Sequence, residues 1–274
     1  MLRLYNMKKK QNKDINPYVV ITGASAGIGE SVALTLAAQK QGLILTARRL
    51  DRLKALKKKC LQAGAPDVHI FKLDIQNRIQ IEKLSKELKK KKLKVKTLVN
   101  NAGLAKGVEL LQNSNPDDFD SMVDTNVKGL LYMTRALLPE VIAQKGHIVN
   151  LGSVAGRLVY EGGVVYCATK FAVRAISDAL RMDLKGTGVR VTNIEPGMVQ
   201  TEFSVVRLGN QQKAKGVYEG MMPLSAQDVA NTILWCLSQP PHVNISELVI
   251  YPTDQASVGQ VVRGDKSIKN LVRQ

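Results

Sequence analysis

Short runs of β-branched and other apolar residues alternate along the chain with longer segments in which apolar residues recur every three to four positions. The short runs predict strands at residues 18–22, 43–47, 68–73, 97–99, 147–151, 189–194 and 248–251. The longer segments predict helices at residues 31–42, 51–63, 79–92, 116–143 and 225–239, and one that contains residue 166 and continues to residue 185. Ser225 and Asp228 form a capping box at the start of the last helix. This alternation favours right-handed crossovers and a mostly parallel sheet, an α/β fold.

The chain is long enough to bury a sizeable core as one domain, which we expect over residues 18–252. Residues 1–17 are predicted to be a basic N-terminal tail, and residues 253–274 a polar C-terminal tail. Within the domain, residues 198–223 are polar and rich in glycine, which favours a mobile lid. No apolar run is long enough to span a bilayer, and the N-terminus lacks the apolar core of a secretory signal. Three widely spaced cysteines without metal-ligand spacing predict reduced thiols in a cytoplasmic protein and no metal site.

The net charge of +17 is concentrated in Lys8–Lys10 and in residues 86–96. Such clusters can bind nucleic acid or an anionic surface. No aromatic residues are interleaved with these lysines, and no nucleic-acid-binding motif accompanies them. We therefore favour a solvated helix end, with neither nucleic acid nor a membrane as a partner.

A glycine-rich turn stands between the first predicted strand and the helix after it. Gly23, Gly27 and Gly29 give the spacing G-x-x-x-G-x-G within the segment GASAGIGE. Glycines here allow a tight bend, a close approach of the backbone to a pyrophosphate, and close packing of helix on strand. Because strand, turn and helix occur in this order, the segment predicts a dinucleotide-binding loop.

Two arginines, Arg48 and Arg49, follow the second predicted strand. An NAD-binding protein usually carries Asp or Glu at this position, for the ribose 2′-hydroxyl. Arginines can instead hold a 2′-phosphate through charge-assisted hydrogen bonds, which favours NADP. The simpler interpretation is that both arginines end the loop and pair with Asp51. Asp74 and Ile75 follow the third strand, where we expect the edge of the adenine.

Tyr166 and Lys170 lie four residues apart in a predicted helix, so their side chains share a face. A lysine cation close to a phenol favours the phenolate, which makes Tyr166 a usable proton donor and acceptor. Ser153, at the end of a strand, can hydrogen-bond the oxygen whose charge changes in the reaction. Asn126, within a predicted helix, can hold a water behind Lys170 and extend a proton path to solvent. A Tyr-x-x-x-Lys pair alone is common on solvated helix faces, so the interpretation depends on the other motifs.

Several motifs together resemble the short-chain dehydrogenase/reductase family, and they extend over residues 18–251. They are TGASAGIG, NNAG, Asn126, Ser153, Tyr166-x-x-x-Lys170 and Pro196-Gly197. The resemblance implies a single-domain Rossmann fold, with a doubly wound parallel sheet of about seven strands flanked by helices. It also implies a homotetramer, and a catalytic tetrad formed by the Asn, Ser, Tyr and Lys of these motifs.

The residues that we expect to contact NADP come from the turns that follow successive strands and from the catalytic helix. They are Gly23, Ser25, Ala26, Gly27, Ile28, Gly29, Arg48, Arg49, Asp74, Ile75, Asn101, Ala102, Gly103, Tyr166, Lys170, Pro196, Gly197, Val199 and Thr201.

Further segments resemble, within that family, the NADP-dependent 3-hydroxy acid dehydrogenases, which include L-allo-threonine and serine 3-dehydrogenases and malonic semialdehyde reductases. The segments are YMTRALLP, GHIVNLGS, VRVTNIEPGMVQTEFSVVR, PPHVNI and YPTDQAS. The loop at residues 199–201 is shorter here than in some members. The resemblance implies reversible hydride transfer between NADP(H) and the C3 carbon of a 3-hydroxy acid. Ser153 and Tyr166 would contact its reacting oxygen, and a cation would bind its carboxylate, for which Arg157 and Arg207 are the candidates.

Two other functions are compatible with the same motifs. A broad-specificity carbonyl reductase of this family would use the same tetrad on neutral aldehydes or ketones. A nucleotide-sensing regulator would keep the dinucleotide site without catalysis, although such a protein does not need Tyr166 and Lys170 together.

Overall fold

The computed structural model describes residues 17–271, so the predicted basic tail lies outside the described residues except for Pro17. The strands are β1 Tyr18–Thr22, β2 Leu43–Ala47, β3 Val68–Lys72, β4 Val95–Asn100, β5 His147–Leu151, β6 Arg190–Pro196, β7 Val199–Gln200, β8 Leu224–Ser225, β9 Glu247–Ile250, β10 Gln255–Ser257 and β11 Gln260–Val261. The helices are α1 Gly27–Ala38, α2 Leu50–Gln62, α3 Arg78–Lys90, α4 Pro116–Val123, α5 Leu130–Ala143, α6 Val164–Asp183, α7 Phe203–Leu208, α8 Gln211–Gly216, α9 Ala226–Ser238 and α10 Ile268–Leu271.

Seven of these strands form one sheet in the order β3-β2-β1-β4-β5-β6-β9, and each neighbouring pair is parallel. This confirms the predicted doubly wound α/β fold. The strand order reverses between β1 and β4, which opens a crevice beyond their carboxyl ends. The turn after β1 carries Gly23, and the turn after β4 carries Asn101, so both predicted cofactor segments meet at this crevice.

Helices cover both faces of the sheet, and alternate residues of β1 face opposite layers. Val19 and Ile21 pack with α1, α2 and α9, whereas Val20 packs with α3 and α5. Strands β1, β2 and β5 are buried at every position. Burial on both faces explains why these strands were recognisable as continuous apolar runs rather than as alternating patterns.

The helix predicted at residues 116–143 is interrupted. A π-helical segment, Asp124–Gly129, separates α4 from α5. It ends at Gly129, where a Cβ atom would lie 2.8 Å from Cγ1 of Ile75, so the absence of a side chain allows this residue to pack closely on the segment after β3. A π turn adds one residue to the helical repeat, a change too small for the hydrophobic pattern to reveal.

The predicted C-terminal tail is an ordered part of the domain as far as Leu271. Strands β10 and β11 form an antiparallel pair. The buried Asp254 carboxylate accepts hydrogen bonds from the backbone of Met222 and Ile268 and from Ser267 Oγ. These contacts join the C-terminal segment to residues 198–223. That predicted lid folds as α7 and α8, and its strand β7 pairs with β8.

The predicted capping box at the start of α9 is confirmed, with Ser225 and Asp228 bonded reciprocally. Within residues 17–271, no helix is both long and apolar enough to cross a membrane.

Candidate active site

One cavity of about 980 Å³ lies at the carboxyl ends of the strands, at the β1/β4 crevice. All of the predicted cofactor residues except Gly29 line it, as do Ser153 and Arg207. Asn126 lies behind its wall, and Arg157 does not line it. The tertiary structure therefore brings the predicted cofactor segments and three members of the predicted tetrad into one space. Among the described residues, no cluster of three or more His, Cys, Asp or Glu side chains could hold a metal ion.

The glycine turn after β1 has the geometry that a dinucleotide pyrophosphate requires. Gly23 has a positive φ of 64°, and a Cβ atom there would lie 2.9 Å from the Ala102 Cα. A Cβ atom at Gly29 would lie 2.5 Å from Asn101 Nδ2, so α1 and the β4 turn are packed without room for a side chain. Asn101 Nδ2 donates to the Thr22 carbonyl at 2.8 Å and so stabilises this arrangement. The residues at the start of α1 line the cavity and have no side-chain cap, and the first N–H groups of a helix suit a phosphate.

The two arginines after β2 lie at the cavity edge, but they differ in their contacts. Arg48 is exposed and forms no side-chain hydrogen bond or ion pair within the described part of the chain. Arg49 donates to Ser25 Oγ at 3.1 Å and pairs with Glu202 at 2.9 Å. Glu202 also pairs with Arg52 at 2.7 Å. The simpler pairing of Arg49 with Asp51 is therefore not what the structure contains, and both arginines remain beside the glycine turn.

The residues after β3 border the same cavity. Asp74 Oδ1 accepts a hydrogen bond from the Gln76 backbone at 3.1 Å, and the Asp74 N–H donates to Gln80 Oε1 at 2.9 Å. Ile75 is buried against Gly129. Contact of this turn with an adenine edge stays a prediction, and the fixed backbone is compatible with it.

Ser153, Tyr166 and Lys170 meet where β5 ends and α6 begins. Ser153 is the N-cap of a short 3-10 turn, and its Oγ accepts from the Ala155 N–H at 3.1 Å. Lys170 is buried, its Nζ donates to the Leu151 carbonyl at 2.7 Å, and it lies 5.8 Å from the Tyr166 ring centroid. The Tyr166 ring packs against Phe203 of α7 at 5.7 Å. The phenol is thus enclosed between α6 and the predicted lid.

Burial has the largest effect on the protonation of these groups. It raises the pKa of Tyr166, while the Ser153 hydroxyl and the Arg207 guanidinium act in the opposite direction. Burial lowers the pKa of Lys170 to about 8. The sequence-based expectation was that Lys170 lowers the pKa of Tyr166. Here its ammonium faces the Leu151 carbonyl, and the groups that lower the phenol pKa are Ser153 and Arg207.

Asn126 lies in the π-helical segment, and both its amide oxygen and its amide nitrogen form hydrogen bonds to other protein groups. Its Oδ1 accepts from the Leu104 N–H at 2.9 Å, and its Nδ2 donates to the Leu104 carbonyl at 2.8 Å and to Thr169 Oγ1 at 3.0 Å. A Cβ atom at Gly103 would lie 3.3 Å from Asn126 Oδ1 and 3.7 Å from Lys170 Nζ. Asn126 therefore joins the β4 turn to α6 directly beside Lys170. Its contribution to a water relay stays a prediction.

Arg157, one of the two candidates to bind the substrate carboxylate, instead forms ion pairs within the protein. Its guanidinium forms ion pairs with Glu195, which is fully buried, and with Glu247. Glu247 also pairs with Arg174 at 2.9 Å. The structure contradicts the expectation for Arg157, because two carboxylates already neutralise its charge and its side chain lies outside the cavity.

Arg207, the other candidate, lies inside the cavity. Its guanidinium carbon is 5.3 Å from the Tyr160 ring centroid and 5.7 Å from that of Tyr166. Its Nε donates to the Gly107 carbonyl at 3.0 Å, and the Gly107 N–H donates to its backbone carbonyl at 3.0 Å. These bonds attach α7 to the loop after β4, so Arg207 is a cation held directly above the predicted proton donor.

Sequence reasoning missed several residues that complete the cavity. Tyr160 and Gln255 line it, and Gln255 Oε1 accepts a hydrogen bond from the Met198 N–H at 2.8 Å. Val258 and Val261 of the C-terminal segment also line the cavity. A polar composition without helical or strand periodicity concealed this role. For Tyr160, its position within six residues of Tyr166 was the available signal.

Comparisons with known proteins agree with this geometry. The family model described as short chain dehydrogenase matches residues 17–211. NADP-dependent 3-hydroxy acid dehydrogenase YdfG of Escherichia coli is 44% identical over 244 residues, which are 88% of this chain and 97% of that protein. Serine 3-dehydrogenase of Agrobacterium fabrum is 44% identical over 247 residues, 89% of this chain and 98% of that protein. Sulfoacetaldehyde reductase of Chromohalobacter salexigens is 44% identical over 241 residues, 87% of this chain and 94% of that protein.

A solved structure, the closed form of serine dehydrogenase complexed with NADP+, superposes with a TM-score of 0.84 at 43% identity and covers 90% of this chain and 99% of that one. The fold, the position of the cavity and the extent of these similarities lead to one conclusion. The chain belongs to the short-chain dehydrogenase family.

Proposed function

We propose that this protein catalyses reversible hydride transfer between NADP(H) and the C3 carbon of a 3-hydroxy acid. The observation that carries the proposal is that Ser153, Tyr166 and Lys170 line the same cavity as the glycine turn and Arg48. A dinucleotide site and a proton donor in one enclosed space suit a dehydrogenase, and the relatives named for NADP and for 3-hydroxy acids support the narrower assignment.

The residues at the cavity suit NADP as the cofactor. The turn after β1 would hold the pyrophosphate, and Arg48 and Arg49 would hold the 2′-phosphate through charge-assisted hydrogen bonds. The remaining predicted residues, from Asp74 to Thr201, would surround the adenine and the nicotinamide. Bound NADP supplies the hydride acceptor, and bound NADPH the hydride donor.

The proton chemistry belongs to Tyr166. In reduction, the neutral phenol donates its proton to the oxygen of the substrate carbonyl, and in oxidation the phenolate accepts the hydroxyl proton. Ser153 donates a hydrogen bond to the same oxygen as its negative charge develops. Because burial raises the pKa of Tyr166, the protonated form that reduction requires predominates near neutral pH. Lys170, whose pKa burial lowers to about 8, can exchange a proton in the same pH range.

Arg207 would bind the substrate carboxylate. It is a cation inside the cavity, stacked on the ring of Tyr166, and it is held there by two hydrogen bonds to Gly107. A carboxylate bound at Arg207 leaves the hydroxyl of a small 3-hydroxy acid close to the phenol. This geometry favours an anionic substrate over a neutral aldehyde or ketone.

A substrate panel read by NADPH absorbance tests the proposal. L-allo-threonine, L-serine and 3-hydroxypropionate would be compared with a neutral alcohol of similar size, each with NADP and with NAD. We expect turnover of the acids with NADP. Turnover of the neutral alcohol alone would favour the broad carbonyl reductase. Tight NADP binding without turnover of any substrate would favour the nucleotide-sensing regulator.

We further propose that the protein is a cytoplasmic homotetramer. This rests on the family likeness and on the three free buried cysteines, which suit a reducing compartment. Size-exclusion chromatography with light scattering would test the oligomeric state.

A further inference from the structure

Tyr160 lies in the turn between the end of β5 and the start of α6, and its ring is held in place. A Cβ atom at Gly163 would lie 2.5 Å from the Tyr160 Cε2, so the ring packs directly on the backbone of that residue. The Gly163 N–H donates to the Tyr160 carbonyl at 3.1 Å. The ring therefore has a defined position, and Tyr160 is one of the residues that line the cavity.

The Tyr160 hydroxyl is buried and forms no hydrogen bond of good geometry within residues 17–271, although the Arg207 guanidinium lies close enough to act on its pKa. A buried polar group without a partner costs free energy, and native proteins rarely contain one without a functional reason. Burial raises the pKa of Tyr160, so its hydroxyl stays protonated at neutral pH and can act as a donor. A ligand that offers an acceptor oxygen would supply the missing partner.

Arg207 presents further unused donors beside this hydroxyl. Its guanidinium lies over the Tyr160 ring, and its Nε bond to Gly107 leaves both terminal nitrogens without a partner in the described part of the protein. Glu109 lies within electrostatic reach of Arg207, yet its carboxylate accepts from the Val108 N–H and forms no ion pair with the guanidinium. The guanidinium offers donors only and carries a positive charge, and the neutral phenol adds one further donor.

We propose that the Tyr160 hydroxyl and the terminal nitrogens of Arg207 jointly bind the anionic group of the substrate, a carboxylate or a sulfonate. Tyr160 is thereby a specificity-determining residue, a role that deepens the proposed function and rests on it. Two or three oxygens that share one negative charge accept from both donors at once. A neutral substrate cannot match the charge of the guanidinium. Because a relative of similar identity is named for sulfoacetaldehyde, both anions are compared in the test.

The test uses Tyr160→Phe, which removes the hydroxyl and keeps the ring that stacks with Arg207. The values of kcat/KM are measured for 3-hydroxypropionate, for 2-hydroxyethanesulfonate, and for the neutral methyl ester of 3-hydroxypropionate. We expect kcat/KM to fall by about tenfold or more for the anion that the wild type prefers, mainly because KM rises. For the ester, kcat/KM should change by less than about twofold. The matched control is Tyr132→Phe, in α5 and outside the cavity, which should leave all values unchanged.

Equal losses for anion and ester, or no loss for either, would overturn the role of Tyr160. Binding of malonate, an unreactive dianion, is measured separately by calorimetry in the presence of NADP. The wild type should bind it about tenfold more tightly than Tyr160→Phe, and equal affinity or no binding by the wild type would contradict the proposal. Failure of the proposed function looks different, because the wild type would then turn over the ester and not the acid.

Discussion

The two halves of the cavity are built in different ways. The half assigned to the cofactor consists of consecutive turns after β1, β2, β3 and β4, and much of it is backbone held by close packing, as at Gly23 and Gly29. The other half is built from side chains that come from α6, α7 and the C-terminal segment, such as Tyr166, Arg207 and Gln255. Because most of the predicted cofactor contacts lie in the first half and the predicted proton donor lies in the second, we expect that cofactor affinity and chemical turnover can largely be altered independently.

The largest expected effect comes from the side-chain half. Tyr166→Phe removes the proton donor while keeping the ring that packs on Phe203. We expect turnover to fall by about a thousandfold, within the range that general acid–base catalysis contributes. NADP binding, followed by fluorescence of NADPH, should change little. Retained activity would contradict the role of Tyr166, and loss of NADPH binding would contradict the separation of the two halves.

The second effect concerns the cofactor half. Replacing both Arg48 and Arg49 by Ala should weaken NADP binding by about ten- to a hundredfold, because charge-assisted bonds to the 2′-phosphate are lost. Binding of NAD, which has no such phosphate, should change far less. Arg52→Ala serves as the control, since Arg52 shares the contact with Glu202 but lies outside the cavity. The dissociation constants of NADP and NAD would be measured for each variant. An equal loss of affinity for the two cofactors would contradict binding of the 2′-phosphate by these arginines.

The third effect is a dependence on pH that differs between the two directions. In the proposed mechanism, oxidation requires the Tyr166 phenolate. Because burial raises the pKa of this phenol, the rate of oxidation should rise about tenfold per pH unit through the neutral range. Reduction requires the neutral phenol and should be nearly constant there. Initial rates from pH 6 to 9 in both directions would test this prediction. If the rates of oxidation and reduction depended on pH in the same way, the two directions would not use opposite protonation states of the Tyr166 phenol.

The smallest effect tests whether the C-terminal segment supports the substrate half. Asp254→Ala removes a buried carboxylate that accepts three hydrogen bonds, and we expect unfolding to become easier by about 1 to 3 kcal/mol. KM for the hydroxy acid should rise severalfold, with the affinity for NADP less affected. The exposed Asp265 provides the control variant, Asp265→Ala. Thermal unfolding and steady-state kinetics of both variants would show whether the segment acts on the substrate half alone.

Much of the fold could be predicted because the central strands are buried on both faces. The bounds of β1, β2 and β5 agree with the continuous apolar runs. Strand β4 is longer than predicted, since the exposed Lys96 interrupts its run and its last residue is a buried Asn100 that bonds to Thr134 and Asn150. Polar residues buried by long-range hydrogen bonds have no local signature, so periodicity cannot include them.

The sequence also predicted much of the candidate site. The glycine turn, the two arginines and the Tyr-x-x-x-Lys pair were recognisable because each depends on neighbours within a few positions. The protonation of Tyr166 was not, because burial depends on packing by α7 and outweighs the effect expected from Lys170.

The amino-acid sequence by itself determined the order of strands and helices, the glycine-rich turn and the spacing of the candidate catalytic residues, since each depends only on neighbours in the chain. Only the tertiary structure decided which of the two candidate arginines lines the cavity. Arg157 meets Glu195 and Glu247, which are 38 and 90 positions away, whereas Arg207 meets Gly107, 100 positions away. The sequence shows which side chains are charged. Whether another group neutralises such a charge depends on contacts that form only when distant segments fold together.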